Sequence, residues 1–458
     1  MFPAEVECGT LAVPIDHNNP SADSTLDLWV SRRKANGTAG SQGTFFFNNG
    51  GPGAASSTFW PYVTLGLPVF SQALLEAFDI IAIDPRGIGL STPIQCDHEL
   101  WNAAPKSFAT DDESFAALVD WNKKFSASCA ERTGPLFNFF DTVSTVKDYD
   151  LVREVLGVDK IHFAGYSYGT LQGQVYAELY PERVGRFVLD GLTDHTVGGM
   201  SAIMTETLTY EVTLRQFFDW CDASTDCPLH GEPVEEYFVQ LSTADELPAP
   251  SCNGTCLPTV RGEDVINAAQ LALAWVDAPP LPSWADFASS IKAAIDGDAS
   301  AFSVAIQTED ANRGSDSPFL NRATMCQDYG SSAESAADIK RIVDVASRLT
   351  PLTRGGGQAF AATAYCAGWG APLSFPPRPL DAAKVAGLPP VLLVNAFYDP
   401  ETSAAWAEGV RGQLPSAVNI WRNGSGHTSY LRNGKTARAM DAFLIEGTIP
   451  ADGTTYDS

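Results

Sequence analysis

Two hydrophobic patterns alternate along this chain. Short, nearly continuous apolar runs at 44–47, 78–83, 161–164, 184–190 and 389–395 read as buried strands, whereas 143–156 and 171–179 carry apolar residues at helical spacing. Gly, Pro, Asn and Asp punctuate the runs. Residues 8–13 and 26–35, on either side of the turn-rich His17-Asn18-Asn19-Pro20-Ser21, alternate apolar with polar and predict an opening hairpin. Strand and helix then alternate regularly, which predicts a mostly parallel sheet with helices on both faces. A last strand is expected at 417–422 and a closing helix at 435–444.

Past Asp194 the pattern changes. Helices are predicted at 208–220, 262–275, 284–295 and 339–347, among cysteine-bearing loops, and sheet character returns only near 389. Pro-rich segments at 278–282 and 375–379 would mark crossings and hinges. The expected division is 1–194 as the first part of an α/β core, 195–385 as a large, mainly helical lid insertion, and 386–458 as the last part of the core. No internal repeat is apparent.

Composition narrows the function classes. The 458 residues are 45% hydrophobic and 18% charged, which is globular, and 29 basic against 55 acidic residues give a formal charge of −26. That balance disfavours nucleic acid and anionic membrane as partners. No apolar run is long enough for a transmembrane helix. The start, Met1-Phe2-Pro3-Ala4-Glu5, lacks a basic and apolar leader, so the chain is expected to be intracellular or a mature secreted form. Two short-range cysteine pairs, Cys221 with Cys227 and Cys252 with Cys256, lie in polar loops without His at metal spacing. They argue for disulfides over zinc, hence for secretion and no bound metal. Sequons at Asn36, Asn253 and Asn423 fit a glycoprotein. Nine cysteines leave one unpaired.

The chemistry centres on Gly165-Tyr166-Ser167-Tyr168-Gly169, which follows an apolar run and opens a helical pattern. This is the Gly-x-Ser-x-Gly elbow: a tight strand-to-helix turn that exposes a serine hydroxyl and aims the next backbone N–H at the reacting atom. Tyr168 would supply one oxyanion donor and Gly51, in Asn49-Gly50-Gly51-Pro52-Gly53 after the 44–47 run, the other. A phosphate loop is the competing reading of those glycines, but no Gly-Lys-Ser/Thr follows. A serine needs a base and an orienting carboxylate. Of six histidines, His427 alone follows the last strand in a Gly-flanked loop, and Asp399 sits just past the 389–395 strand, with Glu401 as its nearest rival. The order Ser167, Asp399, His427 is that of an α/β-hydrolase fold. Arg86 is expected to pin loops rather than touch substrate.

These residues resemble the serine peptidase family of proline iminopeptidases and tripeptidyl aminopeptidases, particularly the tripeptidyl branch. The resemblance spans nearly the whole chain and rests on residues 8–16, Asn49-Gly50-Gly51-Pro52-Gly53, Asp84-Pro85-Arg86-Gly87-Ile88-Gly89, Gly165–Thr170, Leu189-Asp190-Gly191, Cys326-Gln327-Asp328 and Cys366-Ala367-Gly368-Trp369. It implies a cofactor-free exopeptidase that releases short peptides or single residues from free amino termini, with Cys326 bonded to Cys366. Such an enzyme needs carboxylates for the substrate ammonium group, with Asp328 as first candidate and Glu309 or Asp310 as second. Asn49 stands where iminopeptidases carry His, which weakens a specific claim for proline. The rival readings are an esterase or lactonase acting on a small metabolite, and a non-catalytic hydrolase fold used for binding.

Overall fold

A computed structural model describes residues 4–457 except 22, 68, 275–282 and 309–316. Eleven strands form in chain order: β1 Val6–Pro14, β2 Thr25–Arg33, β3 Thr44–Asn48, β4 Asp79–Ile83, β5 Ile161–Tyr166, β6 Val184–Asp190, β7 Leu247–Pro248, β8 Thr259–Val260, β9 Val391–Tyr398, β10 Ala417–Ser425 and β11 Thr454–Asp457. Nine of them make one sheet in the order β1-β2-β4-β3-β5-β6-β9-β10-β11, and β7 and β8 pair separately. The opening hairpin is antiparallel and joins β4 antiparallel; every other pairing in the large sheet is parallel. This is the mostly parallel α/β sheet that the apolar runs predict.

Burial explains those runs. All five residues of β3 are buried, as a strand covered on both faces requires. Phe46 belongs to one apolar layer, with Phe163 and Val175, and Phe45 and Phe47 to the opposite layer, with Phe70 and Met440. Register then gathers the strands' carboxyl ends. Asn48 pairs with Gly165, Tyr166 with Asp190, and Asp190 with Val394. The loops after β3, β5, β6 and β9 therefore emerge at one edge, where α/β sheets bind ligands.

Between β6 and β9 the chain is mainly helical, with helices Gly199–Ala223, Val234–Ser242, Gly262–Ala274, Trp284–Ile295, Pro318–Asp328, Ala336–Leu349 and Gln358–Cys366. Part of this region has its own apolar centre, including Tyr210, Phe217, Val265, Phe287 and Ile291. The 278–282 hinge lies outside the described residues. At 375–379, Arg378 pairs with Glu178 of the helix Gly169–Leu179 and its amide bonds to His195 O, which ties the returning chain to the core. The long helix Asp112–Thr133, without a counterpart in the sequence reading, packs Trp121 and Phe125 around Arg322 of the helix Pro318–Asp328. β11 also escaped that reading. It holds four residues, half of them exposed, and carries no apolar run.

Arg86 is wholly buried and structural. It makes two 2.7 Å bonds to Asp148 and donates to the carbonyls of Pro14, Ile15 and Phe139. Arg86→Ala is expected to cost about 3–5 kcal/mol, the scale for stranding a buried charge. A lowered urea midpoint would show it, and an unchanged midpoint would contradict it.

Candidate active site

The site begins with backbone crowding at Ser167. Its φ is +55°, a left-handed conformation that costs a non-glycine residue about 1–3 kcal/mol. Neighbouring glycines make the turn possible. A Cβ on Gly165 would stand 2.3 Å from Gly169 O, and one on Gly169 would stand 2.7 Å from Asn48 Oδ1. Gly50 presses the loop after β3 onto the elbow, since a Cβ there would be 2.9 Å from Ser167 Cβ. Ser167 N donates to Asp190 O at 3.0 Å, which locks the elbow to the end of β6.

Gly51, Ser167 and Tyr168 line one cavity of about 290 Å³. No described residue accepts a hydrogen bond from the amide of Gly51 or Tyr168, so both N–H groups remain available for an oxyanion.

Asp399 lies just beyond β9 and is wholly buried. It accepts from the amides of Glu401 and Thr402, each at 2.9 Å, and from Thr402 Oγ1 at 2.8 Å. His427, in the loop after β10, donates from Nδ1 to Asp399 Oδ2 at 2.9 Å. Burial opposes charge on Asp399, but the His427 charge and these bonds outweigh it and hold the carboxyl below its ordinary value. For His427, burial pulls the pKa down while Asp399 and Glu401 more than offset it, leaving the imidazole at about 9. No hydrogen bond joins Ser167 Oγ to His427; Nε2 is buried and unbonded, 3.4 Å from Glu401 Oε2. Structures without substrate often show such loose geometry. The rival carboxylate Glu401 thus meets the opposite edge of the ring from Asp399.

Of the expected ammonium partners, Asp328 alone lies among the described residues. Asp328 is wholly buried away from the cavity lining. It accepts from Thr142 N at 3.1 Å and from the Tyr168 hydroxyl. Burial first, and the Asp141 charge second, push it up to about 8, which disfavours its anion near pH 7. It lies behind Tyr168, whose hydroxyl it holds. Glu309 and Asp310 lie outside the described residues.

The carboxylates that do line the cavity are Asp194, Glu206 and Glu401. Asp194 accepts from Thr196 N, Thr196 Oγ1 and Gln413 Nε2 on Oδ1 alone, and no described residue donates to its Oδ2. Glu206 accepts from Gln270 Nε2 at 2.9 Å and from the amides of Gln358 and Ala359, and so caps the helix Gln358–Cys366. Burial pushes Glu206 up to about 7. The sequence held a signal for it: Glu206 shares a helical stripe with Ile203 and Tyr210, both wholly buried, and a charge on an apolar stripe is out of place on a simple lid helix.

Sulfur atoms at bonding distance join Cys221–Cys227, Cys252–Cys256 and Cys326–Cys366, and also Cys96–Cys129, which the sequence left unpaired; Cys8 is free and exposed. Among the described residues no group of three His, Cys, Asp or Glu side chains is placed to hold a metal ion, and no helix is long and apolar enough to cross a membrane.

The family described as alpha/beta hydrolase fold matches residues 43–273, and that described as TAP-like protein matches 353–456. The serine protease Hip1 of Mycobacterium tuberculosis (strain H37Rv) is 27% identical over 473 residues, covering 99% of this chain and 87% of its own length. The tripeptidyl aminopeptidase of Streptomyces coelicolor is 30% identical over 253 residues, 53% of this chain and 46% of that protein. Carboxylesterase B of M. tuberculosis (strain CDC 1551) is 25% identical over 459 residues, 97% and 85% of the two chains.

Ser167→Ala is expected to abolish labelling by a fluorophosphonate probe with the fold intact by circular dichroism; retained labelling would put the nucleophile elsewhere. Asp328→Ala strands the Tyr168 hydroxyl and is expected to lower kcat about 10- to 100-fold, the scale of one lost buried hydrogen bond. KM should change little, and a rise in KM alone would return Asp328 to the substrate-binding role.

Proposed function

Since this chain belongs to the alpha/beta hydrolase fold family, we propose that it is a serine peptidase that acts from free amino termini, releasing single residues or short peptides. Ser167 attacks the carbonyl carbon while His427 takes its proton, and Asp399 holds the imidazole by Nδ1. The Gly51 and Tyr168 amides receive the oxyanion. His427 then returns the proton to the leaving amine, and water repeats the sequence on the acyl-Ser167 ester. The serine protease and aminopeptidase names of the relatives support the same class.

One observation carries the exopeptidase reading: a buried carboxylate with an unused oxygen stands in the wall of the cavity that holds Ser167. Glu401 Oε1 is buried and without a hydrogen-bond partner, whereas Glu206 spends its oxygens on Gln270 and the 358–359 amides. A buried carboxylate calls for a cation, and a free amino terminus supplies one. Glu401 is the preferred ammonium partner, with Glu206 adding negative potential behind it. A neutral ester offers neither group a partner, which argues against the esterase reading.

Residues 195–385 act as the lid in this reading. Gln270 supports that role, since its Nε2 bonds both Glu206 and Pro400 O at 2.9 Å and fixes the lid carboxylate relative to the Asp399 loop. The paired cysteines favour an oxidising, extracellular location.

The test is kcat/KM on matched chromogenic amides, free and N-acetylated, with one or three residues, beside a short-chain ester. Acetylation is expected to cost about 100-fold or more, the scale of leaving a buried carboxylate unpaired. Equal rates on free and acetylated amides would overturn the exopeptidase reading, and turnover of the ester alone would overturn the peptidase reading.

A further inference from the structure

Two buried polar atoms, Nε2 of His427 and Oε1 of the cavity-lining Glu401, lack a hydrogen-bond partner of good geometry among the described residues, although the Gln358 side chain stands close enough to Glu401 to stabilise its charge. Buried polar atoms are normally bonded, and an orphan next to a cavity marks where a ligand completes the set. The same two side chains form an ion pair, with Nε2 at 3.4 Å from Glu401 Oε2 while Nδ1 holds Asp399 at 2.9 Å. The imidazole is therefore caught between two carboxylates, and the atom that must take the Ser167 proton faces the second of them.

We propose that Glu401 is a gate on the catalytic base: in the empty enzyme it holds His427 through Nε2, and the ammonium group of a bound amino terminus takes Glu401 over and frees Nε2 for Ser167. This rests on the exopeptidase reading of the same cavity. Recognition and activation then share one carboxylate, so a substrate without a positive amine is penalised in reactivity as well as in binding.

The electrostatic surroundings agree. Burial alone would keep His427 neutral, but Asp399 and Glu401, with Asp190 at the end of β6, raise it to about 9, which favours the protonated imidazole near neutral pH. Of the cations on neighbouring elements, Arg422 donates to the carbonyls of Ser425, Gly426 and Thr428 and to Ser429 Oγ while its charge also acts on Asp190 and Asp399, and Arg432 donates to the carbonyl of Ala274. Facing Glu401 are His427, Asp399, Gln358 and, from the helix Gly199–Ala223, Glu206. An ammonium ion at Glu401 cancels one of the two charges that keep the imidazole protonated, so its pKa falls and the base becomes competent.

Reach selects the amine. The α-amine of the acyl residue lies within one residue's span of the carbonyl under attack, roughly 3.5 Å, whereas the amine of a tripeptide lies roughly 10 Å away. Glu401 is a residue's span from the atom that deprotonates Ser167. A carboxylate this close to Nε2 suits the amine of a single transferred residue better than that of a tripeptide.

The test compares two acid limbs. An uncharged alkyl fluorophosphonate needs the base but brings no ammonium, so its labelling rate reports the empty enzyme; kcat at saturating free-amine single-residue amide reports the occupied one. The base must be neutral, so each rate rises with pH through the relevant pKa. In the wild type the labelling limb is expected near pH 9, and the kcat limb about one pH unit or more below it. Glu401→Gln should bring the labelling limb down by a similar amount, with labelling at pH 7 about tenfold faster or more. Coincident wild-type limbs would overturn the gate and need no variant. So would a Glu401→Gln labelling limb that stays in place while the wild type still prefers free amines, an outcome that leaves the exopeptidase reading standing. A shifted limb in Glu401→Gln together with equal wild-type rates on free and acetylated amides would overturn the ammonium as the key and the exopeptidase reading with it.

Discussion

The site depends on how closely three backbone segments meet at Ser167. The left-handed serine is affordable only because Gly165 and Gly169 let strand and helix touch, and because Gly50 lets the loop after β3 lie against the serine itself. Any side chain at those points would push the elbow off β6 or the Gly51 amide off the cavity. Parallel register does the rest, by bringing Asn48, Gly165 and Asp190 to one level across three adjacent strands.

Around that point the environment gives chemically similar carboxylates different charges. Asp399 is buried yet held ionised, because His427 and a set of donors stabilise its anion. Asp328 is equally buried but meets only Thr142 and Tyr168, with another acid nearby, which disfavours its anion. Glu206, shared between Gln270 and a helix end, sits near the point of half-protonation at pH 7. Separated titrations of this kind concentrate at functional sites, though structural networks produce them too.

The region between β6 and β9 contributes to the cavity wall. Its helix Gln358–Cys366 starts on Glu206, bears cavity-lining residues and is tied to the helix Pro318–Asp328 through Cys326–Cys366. Arg322 of that second helix is buried among Trp101, Trp121, Phe125 and Tyr365, a cation held by aromatic faces. The cavity wall, Tyr168 and the helices between β6 and β9 are in this way fastened to one another by contacts far apart in sequence.

How much of this was legible follows from the range of the forces involved. Buried strands, the glycine-bounded elbow and the loops holding Asp399 and His427 are written in local patterns, because burial on both faces demands continuous apolar runs and a tight turn demands glycine at set positions. Short cysteine pairs are legible for the same reason. Local pattern failed for β11, which a partner strand selects rather than its own composition, and for Cys96–Cys129, whose pairing depends on where the helix Asp112–Thr133 lies. It failed most clearly for the acids. Asp328 and Glu401 look alike as single letters, and only packing buries one behind Tyr168 and turns the other toward His427. Sequence alone determined the order of the buried parallel strands and the candidate side chains at their ends. Tertiary structure decided which charges face the cavity, since that is fixed by long-range burial and by neighbours that no local window contains.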